Sequence, residues 1–190
     1  MASNIVETAK QLFSAHIKPD SILVDFTMGN GNDTVFMSKL APEGKVYAFD
    51  IQPEALTNTR QKLLDNRCPE NTELILSSHS NVDQYVKEPI SAGMFNLGYK
   101  PGGDKSITTK LGTTMEAIKK ALGLLVPGGI LIVVIYPGHP EGEKEGQSIE
   151  AFGKSLDRFA YNVLLYRLLN HSQSPYILAF EKTGRIKSAS

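Results

Sequence analysis

Short apolar segments typical of strands alternate with segments of helical periodicity along the chain, and this alternation constrains the fold more than any other feature of the sequence. Strands are predicted at 21–26, 45–50, 73–77, 92–97 and 129–136, with a closing strand pair in YNVLLYRLL and PYILAFEK. Helices are predicted at 5–17, 35–40, 53–66, 113–126 and near 147–159. Buried strands that alternate with helices predict a mostly parallel sheet with helices on both faces. The expected fold class is therefore α/β, as a single domain over residues 1–190.

Composition limits the cell compartment and the partners. The longest apolar run, 129–135, is far shorter than the ~20 residues of a membrane span, and no signal peptide is visible. Cys68 is the one cysteine, which suits a reducing compartment, and no Cys/His cluster has the spacing of metal ligands. The sequence therefore predicts a cytoplasmic protein without membrane or metal. Residues 1–95 hold eight Lys+Arg and twelve Asp+Glu, and 96–190 hold twelve and eight, so positive charge gathers in the second half.

Two strand ends carry the residues expected of a nucleotide-like cofactor site. The first strand leads from Asp25 into a turn with Gly29 and Gly31, where the backbone can turn sharply and approach a ligand. The second strand ends at Asp50, whose carboxylate could accept from both hydroxyls of a ribose. Ligands bind at the carboxyl ends of the strands in sheets of this kind. A dinucleotide and S-adenosylmethionine both fit this outline.

Charge at the turn discriminates between the two cofactors. The register from Gly29 runs through Gly31 to Thr34, so the third small residue of the dinucleotide fingerprint is missing. Asp25 and Asp33 flank the turn, where they would repel a pyrophosphate but favour an ammonium and a sulfonium. S-adenosylmethionine is therefore the expected cofactor, and a nicotinamide-dependent oxidoreductase is disfavoured.

The segments VDFTMGNG and FDI resemble the glycine-rich turn and the ribose-binding acid of class I S-adenosylmethionine-dependent methyltransferases, although Thr27 stands at the first glycine position. The resemblance implies a Rossmann-like, seven-stranded sheet. It implies contacts of Asp25, Gly29, Asn30 and Gly31 with the methionine moiety and of Asp50 with the ribose. Ser78 and His79, after the third strand, would lie near the adenine. The full set of expected cofactor-binding residues is Asp25, Met28, Gly29, Asn30, Gly31, Asn32, Asp33, Asp50, Ile51, Gln52, Ser78, His79 and Asn96.

Strand four ends in Asn96-Leu97-Gly98-Tyr99, which is similar to the N-P-P-Y motif of methyltransferases that act on amino groups. A nitrogen acceptor must direct its lone pair at the methyl carbon. The side-chain carbonyl of Asn96 and the backbone carbonyl of Leu97 could accept its hydrogens and hold it in line. The Tyr99 ring could stack on a base or face the charge that develops on nitrogen. The rate would then come mainly from positioning.

Two loops follow the catalytic strand ends. The loop 99–109 contains Asp104, which could orient the amine or help to take its proton, and Lys105, which could hold a phosphate. Loops of this length in compact domains are usually functional or disordered. After strand five, Tyr136 and His139 could close over the substrate, and His139 could contact RNA or help proton transfer. Asp104 is therefore a catalytic candidate, and Lys105, Tyr136 and His139 are substrate-binding candidates.

The motifs DFTMGNGNDT, FDIQ, FNLGY-x-PGGDKSITT and VIYPGHPEG together resemble a narrower bacterial family, the rRNA methylases labelled YtqB-like or MnmM. The resemblance implies methylation of the aminomethyl group of 5-aminomethyl-2-thiouridine at the tRNA wobble position, with the anticodon region of tRNA as partner. The amine must be neutral when it attacks, and Asp104, His139 or Tyr136 could relay its proton.

The predicted function is therefore that of a tRNA methyltransferase that uses S-adenosylmethionine. Methylation of rRNA or of a small amine would use the same site and is the alternative within enzymes. A nicotinamide-dependent oxidoreductase and a non-catalytic RNA-binding module are the remaining alternatives. A homodimer is one expectation for the oligomeric state.

Overall fold

The structure of the protein is a computed structural model that describes residues 5–97, 111–171 and 173–184. The strands are β1 (Ile22–Asp25), β2 (Lys45–Asp50), β3 (Thr72–Leu76), β4 (Ile90–Asn96), β5 (Leu125–Ile135), β6 (Tyr161–Tyr166) and β7 (Tyr176–Lys182). The helices are α1 (Ile5–Ser14), α2 (Asn32–Leu40), α3 (Pro53–Asp65), α4 (Val82–Tyr85), α5 (Leu111–Leu124) and α6 (Pro140–Ser155), with a 3-10 turn at His79–Asn81 before α4.

The strands form one seven-stranded sheet in the order β3-β2-β1-β4-β5-β7-β6. β1 to β5 pair in parallel, and β7 pairs antiparallel with both β5 and β6. The predicted α/β class, the seven strands and the closing strand pair are confirmed, and the structure shows that this pair is antiparallel. The strand order reverses direction between β1 and β4, and such a switch point opens a crevice at the carboxyl ends of the strands. The ends of β1 and β4 carry Asp25 and Asn96.

The core lies on both faces of the sheet. On one face, α1 buries Ala9 and Phe13 against Leu23 and Val46, and Met37 of α2 joins them. On the other face, apolar side chains of α4, α5 and α6 pack against Val24, Phe49, Phe95 and Val133. The sheet is therefore fixed from both sides, which places its carboxyl edge rigidly at the base of the crevice. No helix of the described residues is both long enough and apolar enough to span a membrane.

Several predicted helix boundaries differ from the structure, and at α5 and α6 the reasons are local. Helix α5 ends at Leu124 instead of the predicted Val126, because Leu125 already belongs to β5 and pairs with Ile90 of β4. The Pro127–Gly129 segment is instead accommodated by an irregularity in the β4–β5 register. Helix α6 begins at Pro140, well before the predicted residue 147, because the polar segment after His139 forms its first turns. Proline in the first turn and the early acids Glu141 and Glu143 favour that start.

Candidate active site

The glycine-rich turn after β1 is held together by the side chain of Asp25. This carboxylate is 1% exposed and accepts hydrogen bonds from Thr27 N at 3.1 Å and from Thr34 Oγ1 at 2.6 Å. Burial, and secondarily the nearby Asp33, raises the pKa of Asp25 to about 7. The structure thus places Asp25 beneath the turn, where it organises the backbone that carries Met28 to Asn32.

Two glycines in this turn have backbone conformations that other residues rarely adopt. Gly29 has φ +50° and Gly31 has φ +76°. A Cβ on Gly31 would lie 2.7 Å from Thr59 Oγ1 of α3. The turn therefore approaches α3 too closely for a side chain at residue 31. Asn30 and Asn32 are exposed on the turn, and Asn32 Oδ1 accepts a hydrogen bond from Lys62 Nζ.

Asp50 connects the end of β2 to the same turn. Its Oδ2 accepts from Gly29 N and its Oδ1 from Gln52 N, both at 2.9 Å. Each carboxylate oxygen retains a further lone pair, and the side chain is only partly buried, so Asp50 can still accept from a ligand hydroxyl. Ile51, beside it, is 59% exposed and offers an apolar surface at the same edge.

His79 lies under this edge and contributes a buried nitrogen. The ring is 8% exposed, and its Nδ1 lies 3.1 Å from the carbonyl oxygen of Phe26. A carbonyl can only accept, so Nδ1 carries the hydrogen and Nε2 is an acceptor. Nε2 is buried and has no hydrogen-bond partner. Burial lowers the pKa of His79, which keeps the ring neutral. Ser78 caps the same turn, and its hydroxyl accepts from Ser80 N.

At the end of β4, the amide of Asn96 is oriented by Asp33. Asn96 Nδ2 donates to Asp33 Oδ2 at 3.2 Å. The backbone N–H of Asn96 donates to Thr27 Oγ1 at 2.8 Å, which ties β4 to the turn after β1. Thr27, the departure from the glycine pattern, therefore has a function of its own in this site. Leu97 N donates to Val134 O, and the Leu97 side chain is buried in the core.

Tyr136 completes the group of polar side chains around Asn96. Burial and the nearby charge of Asp33 raise the pKa of Tyr136, and a hydrogen bond from the Asn96 side chain lowers it. The hydroxyl is therefore neutral at physiological pH. His139 instead caps α6, since its Nδ1 accepts from Gly142 N at 3.0 Å.

The structure groups the sequence-predicted residues into two neighbouring sets. One set joins Gly29 of the turn after β1 to residues that follow β2 and β3, namely Asp50, Ile51, Gln52 and His79. The other joins Asp33 of α2 to Asn96 at the end of β4 and Tyr136 after β5. The predicted residues Tyr99, Asp104 and Lys105 lie outside the described residues. Within the described part of the chain, no group of three or more His, Cys, Asp or Glu side chains could hold a metal ion.

Sequence reasoning missed three residues that the site uses. Thr34 donates a hydrogen bond to Asp25, and Thr27 accepts one from the backbone of Asn96. Lys10 of α1 forms an ion pair with Asp33 at 3.0 Å. The T-x-x-x-x-x-x-T spacing carries no recognised signal. Lys10 lies on a helix that its periodicity assigns to the core, so nothing in the sequence connects it to residue 33.

The chemistry of this edge fits S-adenosylmethionine better than a dinucleotide. The carboxylates of Asp33 and Asp50 lie beside a tight glycine turn, and negative charge there favours a cationic ligand and opposes a pyrophosphate. The unpartnered Nε2 of His79 suits the polar edge of an adenine. The exposed side chain of Ile51 suits the face of the adenine ring. Fold and site together define a methyltransferase with a Rossmann-like sheet.

Residues 46–182 match the model of the family described as "Putative rRNA methylase", and the chain belongs to that family. It is 37% identical over 184 residues to the chloroplastic tRNA (mnm(5)s(2)U34)-methyltransferase of Arabidopsis thaliana, covering 90% of this chain and 67% of the relative.

Two solved structures are similar over 96% of this chain and 99% of theirs. A "putative methyltransferase" from Streptococcus mutans in complex with SAH shares 43% identity with a TM-score of 0.88. An rRNA methylase from Streptococcus thermophilus shares 39% identity with a TM-score of 0.82. The expected fold, the expected family and the expectation of an S-adenosylmethionine-dependent RNA methyltransferase are confirmed.

Proposed function

We propose that this protein methylates the aminomethyl group of 5-aminomethyl-2-thiouridine at the wobble position of tRNA. The observation that carries the proposal is the Asn96 amide at the end of β4, whose donor side is bound to Asp33. The amide oxygen is thereby left as an acceptor for the hydrogens of an amine. The name of the Arabidopsis relative supports the choice of mnm5s2U34 as the product.

The proposed cofactor site uses the first set of residues. Asp50 accepts from the ribose hydroxyls, while the backbone of Met28 to Asn32 lies along the methionine moiety. Ile51 covers one face of the adenine, with Gln52, Ser78 and His79 near its polar edge. Asp25 acts from below the turn, because both of its oxygens already accept hydrogen bonds. S-adenosylmethionine supplies an electrophilic methyl group on a sulfonium.

Asn96 and Leu97 orient the attacking nitrogen in the proposed reaction. The Asn96 carbonyl and the Leu97 backbone carbonyl accept the two amine hydrogens, so that the nitrogen lone pair faces the methyl carbon. Positioning of this kind can supply up to ~7–11 kcal/mol of the barrier. Tyr99 would stack on the base, and Lys105 would bind a phosphate.

The amine must lose a proton before it attacks, and the three candidates differ in suitability. Tyr136 is a neutral phenol because burial raises its pKa, so it is a hydrogen-bonding group and not a base. The Nδ1 of His139 already accepts from Gly142 N, so a neutral His139 carries its hydrogen on Nε2 and donates there. His139 therefore suits a phosphate or carbonyl of RNA. Asp104 is left as the proposed proton acceptor.

The proposed partner is the anticodon region of tRNA, and the proposed compartment is the cytoplasm.

We also propose a homodimer, because the edge strand β6 exposes Val163, Leu164 and Leu165. The solution mass by light scattering would test it. The second candidate substrate is rRNA, which the family description favours.

A pair of variants tests the assignment of the two sets. Asn96→Ala should lower single-turnover methyl transfer to tRNA by about 100-fold or more, since it removes the positioning acceptor. The dissociation constant for S-adenosylmethionine, measured by calorimetry, should stay close to that of the parent protein. Asp50→Ala should instead weaken cofactor binding.

Glu73→Ala is the matched control, because Glu73 is an exposed acid near the start of β3 that forms an ion pair with Lys45. Normal turnover in Asn96→Ala would remove the basis of the proposal. Normal cofactor affinity in Asp50→Ala would refute the ribose assignment.

A further inference from the structure

The carboxylate of Asp33 has two partners on opposite sides. Its Oδ1 lies 3.0 Å from Lys10 Nζ, and its Oδ2 accepts from Asn96 Nδ2 at 3.2 Å. The residue is 8% exposed although it lies in the first turn of a short helix. Lys10 belongs to α1, Asp33 to α2 and Asn96 to β4, so the three side chains connect three separate elements across the crevice.

This arrangement allows one orientation of the Asn96 amide. An ionised carboxylate can only accept hydrogen bonds, so the atom of Asn96 that faces it must be the nitrogen. The reversed amide would place two acceptor oxygens at the same short separation and would be repelled. Asp33 therefore decides which end of the amide is presented to a substrate.

Lys10 holds the carboxylate in the position where it can do this. The ammonium compensates the buried charge of Asp33, and it lies 5.0 Å from the centre of the Phe36 ring, which limits its freedom. A buried charge without a partner is costly. Ala9 and Phe13 anchor the same helix in the core, so α1 presents Lys10 from a fixed scaffold.

We propose that Asp33 is a positioning residue for methyl transfer, and that Lys10 of the N-terminal helix keeps it in place. The inference rests on the proposed role of Asn96 as the acceptor that orients the amine. It assigns Asp33 to the amide of Asn96 instead of to the cofactor. It also makes α1 a part of the active site.

The decisive experiment exchanges the acid and the amide. In Asn96→Asp alone, two carboxylates face each other at the Asp33–Asn96 contact and repel unless they share a proton, so transfer should fall and should fall further as pH rises. In the double variant Asp33→Asn with Asn96→Asp, the amide at 33 donates to the carboxylate at 96 and accepts from Lys10. Transfer should therefore recover well above that of Asn96→Asp, without the added pH dependence.

Asp33→Ala and Lys10→Met measure the two links separately. Asp33→Ala should lower single-turnover transfer at saturating S-adenosylmethionine and tRNA by about 10- to 100-fold, with little change in the cofactor dissociation constant. Lys10→Met should lower the same rate to a smaller extent. Lys39→Met is the control, because Lys39 on α2 is exposed and contacts Asn66 away from the site.

Three results would overturn the inference. The first is a double variant no better than Asn96→Asp, and the second is a loss in Asp33→Ala confined to cofactor affinity. The third is a faster Lys10→Met, which would mean that the charge of Asp33 acts directly on the substrate amine. If Asn96→Ala itself retains turnover, the proposed function fails first, and this outcome is distinguishable from failure of the Asp33 assignment alone.

Discussion

The ionisation of Asp25 affects the stability of the fold. In the unfolded chain it ionises near its ordinary pKa of 3.8, whereas in the folded protein its pKa is raised to about 7 by burial and by Asp33. Between these values the folded state retains a proton that the unfolded state has released. The contribution of Asp25 to the free energy of unfolding therefore falls as pH rises from about 4 to 7.

Asp25→Asn should remove this pH dependence while it retains the shape of the side chain. Relative to Asp25→Asn, the parent protein should lose about 2–4 kcal/mol of unfolding free energy between pH 4 and pH 8. Urea unfolding of both proteins across this range measures the difference, and the comparison cancels the titration of other groups such as His79. A difference that stays constant with pH would show that Asp25 is not protonated in the fold.

At the scale of single residues, the sequence predicts where a residue lies in the fold better than which side chains it contacts. Asp50 and Asn96 could be placed at the site because each ends a buried strand, and parallel strands bring their carboxyl ends to one edge. The bonds from Asn96 to Asp33 and Thr27 join residues more than 60 positions apart, and no local pattern encodes them. Lys10 and Asp33 are closer along the chain, but no local pattern encodes their ion pair either.

At the scale of elements, the conformation of the turn between β1 and α2 depends on Gly31. Gly31→Ala should destabilise the protein by more than about 1 kcal/mol, because the residue has φ +76° and its new methyl group would lie against Thr59. Cofactor affinity should fall with it, since Gly29 and Asp50 are connected through the same turn. Thermal unfolding and calorimetric titration measure the two effects.

Gly123→Ala provides the matched control. Gly123 lies within α5, and a Cβ there would meet no atom within 4 Å. Helix propensity favours alanine by up to about 1 kcal/mol, so this variant should be as stable as the parent protein or more so, with normal cofactor binding. Equal stability of the two variants would contradict the role given to Gly31.

At the scale of elements, most strands were predicted more accurately than helix ends, although β5 begins four residues before the predicted residue 129. The strand at 45–50 agrees with β2 residue by residue, because its six residues are bounded by a glycine and a proline turn. The start of α6 was missed because its first turns are polar and resemble a loop. The short helical segment at 79–85 was not predicted, since seven residues carry too little periodicity for detection.

At the scale of the whole molecule, we propose that the chain folds as one domain. All seven strands belong to one sheet, and each face is covered by helices from distant parts of the sequence. The N-terminal helix packs beside β5 and β7, so its removal would expose the core. A single cooperative transition in scanning calorimetry is the corresponding measurement.

The charge distribution at this scale agrees with a substrate held locally. The whole chain has no net charge, and the second half, which contains the loops after β4 and β5, carries more Lys and Arg than Asp and Glu. Proteins that bind long duplexes are usually far more basic. The absence of a large positive net charge instead agrees with the proposed binding of a stem-loop at one site.

The central claim is methyl transfer to an aminomethyl group on tRNA. The most direct test incubates the protein with labelled S-adenosylmethionine and tRNA from cells that lack it, followed by nucleoside mass spectrometry, with Asn96→Ala as the inactive control. We expect 5-aminomethyl-2-thiouridine to gain one methyl group with the parent protein only. Cofactor binding without transfer to tRNA, together with transfer to rRNA or to a small amine, would contradict it.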